Sequence, residues 1–245
     1  MSTKVSGTAP WSHGCPRPEV DRWPGIGRSI RRVAAAQDAI GIYRQEVPHV
    51  VDSSGTNGDS ASEFLAQLDE LHDASFPDDF TIVESPAPKR LAPYGIALTA
   101  DLDDEEDQEA EDALATGRLV LLHNPEGVDE WAGTTRAVLF MRATVDPEVA
   151  EDPMLPEVAW TWLQESLERH GAQMREISGT VTRTSSEAFG DIAGTKTPGA
   201  VEIRASWTPD GTLLAQVRAW VDLMRVTVGQ PVLPAAVTAL RSRLR

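Results

Sequence analysis

Cysteine is nearly absent from this chain: Cys15 stands alone among 245 residues. One thiol can make no internal disulfide and no Cys-x-x-Cys site. Such usage fits a reducing compartment. Long apolar runs are missing too. The runs present are short, as in Leu119–Leu122 and Ala137–Met141, whereas a membrane helix needs about 18–20 consecutive apolar residues. The opening Met-Ser-Thr-Lys-Val-Ser-Gly leads into no apolar segment of the secretory kind, so no signal peptide is expected. These absences predict a cytoplasmic protein with no membrane partner. Positive charge is scarce as well: 22 Lys and Arg stand against 38 Asp and Glu, a net charge of −16. A field of that sign repels phosphate backbones, which makes nucleic acid an unexpected partner unless a local basic patch overrides it.

Signature motifs are also lacking. Gly25-Ile-Gly27 is half of a dinucleotide loop without its third glycine or a preceding strand, and reads as a Gly-Pro turn. Gly194-Thr-Lys196-Thr lacks the upstream glycine of a phosphate loop. The histidines at 13, 49, 72, 123 and 170 show no i,i+3 or i,i+4 pairing, so no metal site is expected, nor any cofactor. Ser185 and Ser186 have no nucleophile-elbow context. Asp101–Asp112 has nine acidic residues in twelve but not the spacing of a calcium loop. It reads as a solvated loop or a weak helix.

What is present is a pattern of short elements. Residues 1–58 are rich in Pro, Gly and Ser and read as a weakly structured extension, with one candidate helix at Gly27–Arg44 and a linker at Asp52–Asp59. A single domain is expected over 59–235, followed by a basic tail at 236–245. In the domain, Ser60 and Glu63 match a capping box, and Phe64, Leu68 and Leu71 predict an amphipathic helix to Asp73. Alternation predicts strands at Tyr94–Leu102 and Ala200–Trp207. Short strands are also expected at Phe80–Glu84 and the apolar Arg118–His123, and long ones at Thr134–Val145 and Gln173–Ser185, with a turn at Asn124–Gly127. Both faces of Thr134–Val145 are apolar near Val138–Met141, which places it in mid-sheet. Helices follow from Pro156 to Gly171 and over Thr212–Val228. The linkers between strands are mostly too short for helical crossovers. The expected fold is therefore α+β: a largely antiparallel sheet of five to six strands with about three helices on one face.

Several segments carry a family resemblance. Pro86-Ala-Pro-Lys-Arg-Leu-Ala-Pro-Tyr-Gly-Ile-Ala-Leu-Thr-Ala-Asp-Leu102, Ala115-Thr-Gly-Arg-Leu-Val-Leu-Leu-His123, Leu155-Pro-Glu-Val-Ala-Trp-Thr-Trp162, Gly179-Thr-Val-Thr-Arg-Thr-Ser-Ser-Glu-Ala-Phe-Gly190 and Glu202-Ile-Arg-Ala-Ser-Trp-Thr-Pro209 occur in order. With them the chain, over about residues 62–234, resembles the actinobacterial family called domain of unknown function 3000. That resemblance implies no activity, cofactor or catalytic residue. Members of that family often lie beside a gene similar to ribonuclease D, a weak association that implies at most an accessory role in RNA metabolism.

The candidate binding residues are few. If the two late strands pair, the outward faces of Arg183, Thr184 and Glu187 and of Glu202, Arg204 and Ser206 merge. Arg183, Glu187 and Arg204 would then line an anion-binding or partner-binding face, because a guanidinium fork matches carboxylate or phosphate. The plainer reading is cross-strand charge pairing. His123 ends an apolar strand beside a turn, where either a structural or a catalytic histidine can sit. Trp131 and Trp160 lie off the predicted core stripes, and exposed aromatics suit contact surfaces. The leading functional expectation is a non-enzymatic binding or adaptor protein with a protein partner. The alternatives are a small-anion site or enzyme around Arg183, Glu187 and Arg204, and the RNA accessory role.

Overall fold

The computed structural model describes residues 31–32, 56–88, 90–103 and 113–230. Among the described residues the chain builds one seven-stranded sheet with four helices. In chain order these are β1 (Arg31–Arg32), α1 (Thr56–Asp73), β2 (Phe80–Ser85), β3 (Tyr94–Leu102), β4 (Ala115–Val128), β5 (Gly133–Val145), α2 (Pro147–Glu151), α3 (Leu155–Arg169), β6 (Gln173–Thr184), β7 (Gly199–Asp210) and α4 (Leu213–Thr227). The strand order is β1-β2-β3-β4-β5-β7-β6. Every pairing is antiparallel except the two-residue contact of β1 with β2, which is parallel. The expected α+β class and pairing sense match this arrangement, and so does the expected count of five to six strands once the two-residue β1 is set aside.

The sheet follows from its connections. β2 to β5 form a meander, because each linker is short enough to return the chain beside its own strand. After β5 the chain crosses through α2 and α3 and re-enters at the far edge as β6. It leaves one vacant position, which β7 fills between β5 and β6. α3, α4 and α1 pack on one face. The apolar stripe Phe64, Leu68 and Leu71 of α1, Leu163 of α3, and Val217, Trp220 and Met224 of α4 meet Leu98, Leu119, Leu121, Leu139, Met141 and Ile203 from the sheet. α4 starts cleanly because the Thr212 hydroxyl accepts from the Ala215 amide at 3.2 Å. α3 ends where Gly171 takes φ +64°, a conformation glycine adopts at no steric cost.

Some local expectations need correction. α1 begins at Thr56, so Ser60 lies inside the helix and cannot cap it; its hydroxyl instead faces the His123 ring. Arg31–Arg32, expected within a helix at Gly27–Arg44, forms β1; the rest of that segment lies outside the described residues. The turn expected at Asn124–Gly127 does not reverse the chain. Those residues form an irregular stretch within β4, with the register shifting between His123 and Val128. The reversal comes at Asp129–Ala132, a single 3₁₀ turn closed by Ala132 at φ 52°. α2 is too short to show a helical period and was not expected. Residues 104–112 of the acidic tract, and the tail, lie outside the described residues.

Candidate functional site

The sheet face opposite the helices has two parts. Near β3 and β4 it is covered: Ala87, Ala92 and Trp131 pack on Ala97, Val120 and Leu122. Toward β5, β7 and β6, no helix covers it among the described residues. Strand register sets its composition. One cross-strand row reads Arg118, Phe140, Arg204, Thr180; the next reads Thr116, Arg142, Glu202, Thr182; a third reads Val120, Val138, Ser206, Ser178. Arg136 stands beyond these, opposite Leu122. Four guanidinium groups (118, 136, 142 and 204) therefore share a face with the carboxylates of Glu202 and Asp101. Val138 is 39% exposed and Phe140 half-buried between them.

The four arginines are held differently. Arg136 donates to Ser206 Oγ at 2.7 Å, to Thr208 Oγ1 at 3.1 Å and to the Glu176 carbonyl at 3.2 Å. Burial draws its pKa down, against the opposing pull of Glu176, and it stays protonated because arginine titrates so far above neutrality. Arg204 donates from Nε to Glu202 Oε1 at 2.8 Å and rests 5.1 Å from the Phe140 centroid, a cation–π distance. Arg118 is exposed and reaches the Pro86 carbonyl at 3.3 Å. Arg142 is exposed and has no polar partner among the described residues.

The sequence candidates do not form one cluster. β6 and β7 do pair, but Arg183 lies opposite Val201 while Arg204 lies opposite Thr180. Arg183 and Arg204 therefore point to opposite faces, and the expected merging of their side chains does not occur. Arg183 turns to the helix side and donates to the carbonyls of Ala150 and Glu151, at 3.0 and 2.8 Å, at the end of α2. Glu187 is exposed in the connection after β6. Trp131 caps the covered part of the helix-free face, and Trp160 leans from α3 over Gly179 of β6. No local pattern in the sequence reveals the register that joins Arg118, Phe140, Arg142 and Arg204. Parity along β5 groups Arg136, Val138, Phe140 and Arg142, but sequence alone does not place β7 beside β5.

His123 belongs to a different place. Its side chain is buried and stacks on Phe64 at 4.7 Å, with Tyr94 tilted against it at 6.1 Å. Nδ1 lies 2.9 Å from Thr135 Oγ1 and Nε2 3.3 Å from Ser60 Oγ. Burial pushes its pKa down to about 4, so the ring is neutral at pH 7. It forms part of the floor of a polar hollow of about 270 Å³ whose rim carries Glu63, Arg175 and Asp210. Both ring nitrogens are occupied by hydroxyls and the ring is a poor base, so this geometry suits a structural histidine. Among the described residues no three His, Cys, Asp or Glu side chains are placed to hold a metal ion. No described helix is long and apolar enough to cross a membrane.

The molecule is thus an α+β protein with a largely antiparallel sheet, and four of its arginines share the helix-free face. It belongs to the family described as Protein of unknown function (DUF3000), whose model matches residues 60–238. No curated protein and no solved structure matches the chain.

Proposed function

We propose that this protein is a non-enzymatic binding protein, and that it docks an extended, acidic protein segment on the helix-free face of its sheet. The observation that carries this reading is the cluster of Arg118, Arg136, Arg142 and Arg204 around Phe140 and Val138, in a chain whose net charge is −16. Guanidinium forks bind carboxylates bidentately, and the strip of Val138 and Phe140 offers apolar contact between them. The field of the whole chain opposes an acidic peptide and RNA alike, so it does not choose between them. What disfavours RNA is the scarcity of bare rings, since Arg204 already lies against Phe140, whereas open-sheet RNA readers stack two or three bases on aromatics. The lone Cys15 and the family resemblance support a cytoplasmic setting in an actinobacterium.

The test compares two probes by fluorescence anisotropy: a peptide alternating Glu with Val or Leu, and an oligouridylate of similar length. The peptide is expected to bind, and replacing Arg118, Arg142 and Arg204 together by alanine is expected to weaken it about tenfold, the scale of three exposed charge contacts. Oligouridylate binding that the same substitutions abolish, with no response to the peptide, would replace this reading with the RNA-accessory one.

A further inference from the structure

We infer that β6 is a self-pairing edge, through which two copies of the chain join their sheets antiparallel about a two-fold axis. β6 ends the strand order, bonded to β7 on one side and to no described strand on the other. It is twelve residues long, so a long row of main-chain N–H and C=O groups faces outward. Proteins commonly blunt such an edge with Lys, Pro, a bulge or brevity, because an unblunted one templates further pairing. β6 has a bulge between Arg175 and Ser178, which disrupts only its first half. The second half, Gly179-Thr-Val-Thr-Arg-Thr184, contains neither Lys nor Pro and no carboxylate. Its one charge, Arg183, is turned inward and bonded to the end of α2.

Three observations point to a second copy as the occupant. The opposite edge is partly filled, since β1 pairs with β2 at Val83 and Glu84. Joining at β6 uses the long edge that no described strand fills in either copy and closes the assembly, as a two-fold contact must. The strand is also complementary to itself. Thr180, Thr182 and Thr184 share the helix-free face, with Gly179, Val181 and Arg183 on the other. Pairing centred on Val181 sets Thr180 opposite the partner's Thr182 and Arg183 opposite the partner's Gly179, so hydroxyls meet and no charge meets its own copy. Finally, Trp160 lies half-buried beside this edge, where a Cβ on Gly179 would come within 2.9 Å of its ring. A two-fold axis brings a second indole to the same joint. It also makes the arginine-bearing faces of the two copies continuous.

Sedimentation velocity of the full chain over a concentration series tests this, alongside the double variant Thr180→Lys and Thr182→Lys. Both positions are exposed, so the monomer fold tolerates them, while in the dimer they oppose lysine to lysine. The wild type is expected at twice the 26.6 kDa chain mass and the variant at the single mass, with equal far-UV circular dichroism. Hydrogen exchange of the wild type, which needs no variant, is expected to show that the outward amides of residues 178–184, every second one, are protected and lose that protection on dilution to monomer, while those bonded to β7 do not. A wild type that stays monomeric at every concentration would overturn the inference, whether or not the outward amides are protected. A dimer that survives the lysines, or whose outward amides at 178–184 exchange freely, would overturn it equally.

Discussion

At the scale of single residues, His123 shows how burial turns a titratable group into a pH-dependent term in stability. Its ring is held neutral between Phe64, Ser60 and Thr135, and its pKa falls from 6.5 to about 4 through desolvation. Between those values the unfolded chain binds a proton that the folded one refuses. Stability from this group is therefore complete above pH 6.5 and is lost as pH falls toward 4, by about 3 kcal/mol at most. His123→Gln removes the titration. Urea denaturation from pH 4 to 7 is expected to give the variant a shallower pH slope than the wild type, together with lower stability at pH 7 from the lost stacking. Equal slopes would assign the pH dependence to other groups. The sequence marked His123 as the end of an apolar strand. Its partners come from α1, β3 and β5, remote in sequence, so nothing local revealed that its surroundings are aromatic and dry.

At the scale of elements, the docking of α4 on β4 depends on a residue with no side chain. A Cβ on Gly117 would lie 2.8 Å from Trp220 Nε1 and 3.2 Å from Met224 Sδ, and that indole N–H is buried with no partner among the described residues. Gly117→Ala is expected to destabilise the protein by about 1–3 kcal/mol, the usual cost of an overpacked core. Trp220→Phe in the same background is expected to recover part of that loss, since it removes both the crowding atoms and the unpaired donor. Denaturant midpoints of the single and double variants decide it; a neutral Gly117→Ala would mean that α4 shifts freely on the sheet. Helix and strand existence was legible here because periodicity is local. Leu213, Val217, Trp220 and Met224 mark α4, alternation marks β3 and β7, and a short apolar run marks β5. Strand order was not legible, since the position of β7 between β5 and β6 is set by tertiary packing. Register was no more legible: β6 and β7 pair as expected, but Arg183 falls opposite Val201 and Arg204 opposite Thr180, so the two arginines take opposite faces and Arg204 meets Phe140 instead.

At the scale of the whole molecule, charge is segregated. A chain with net charge −16 turns four arginines onto one sheet face, and these two facts respond to salt in opposite directions. Excess like charge destabilises the compact state by self-repulsion. Raising ionic strength from about 0.01 M to 1 M shortens the Debye length from about 30 Å to about 3 Å, which weakens that repulsion. The inward ion pairs Arg169–Asp222 and Arg225–Asp79 are partly shielded from solvent and lose less. The thermal midpoint is therefore expected to rise with added sodium chloride. Binding of an acidic peptide to the exposed Arg118, Arg142 and Arg204 is expected to weaken over the same range. Opposite salt trends in melting and in binding, measured on one preparation, separate a docking face made of exposed guanidinium groups from a contact that depends on the fold as a whole. If the two trends ran together, affinity would be following stability rather than charge, and the arginine face would lose its role.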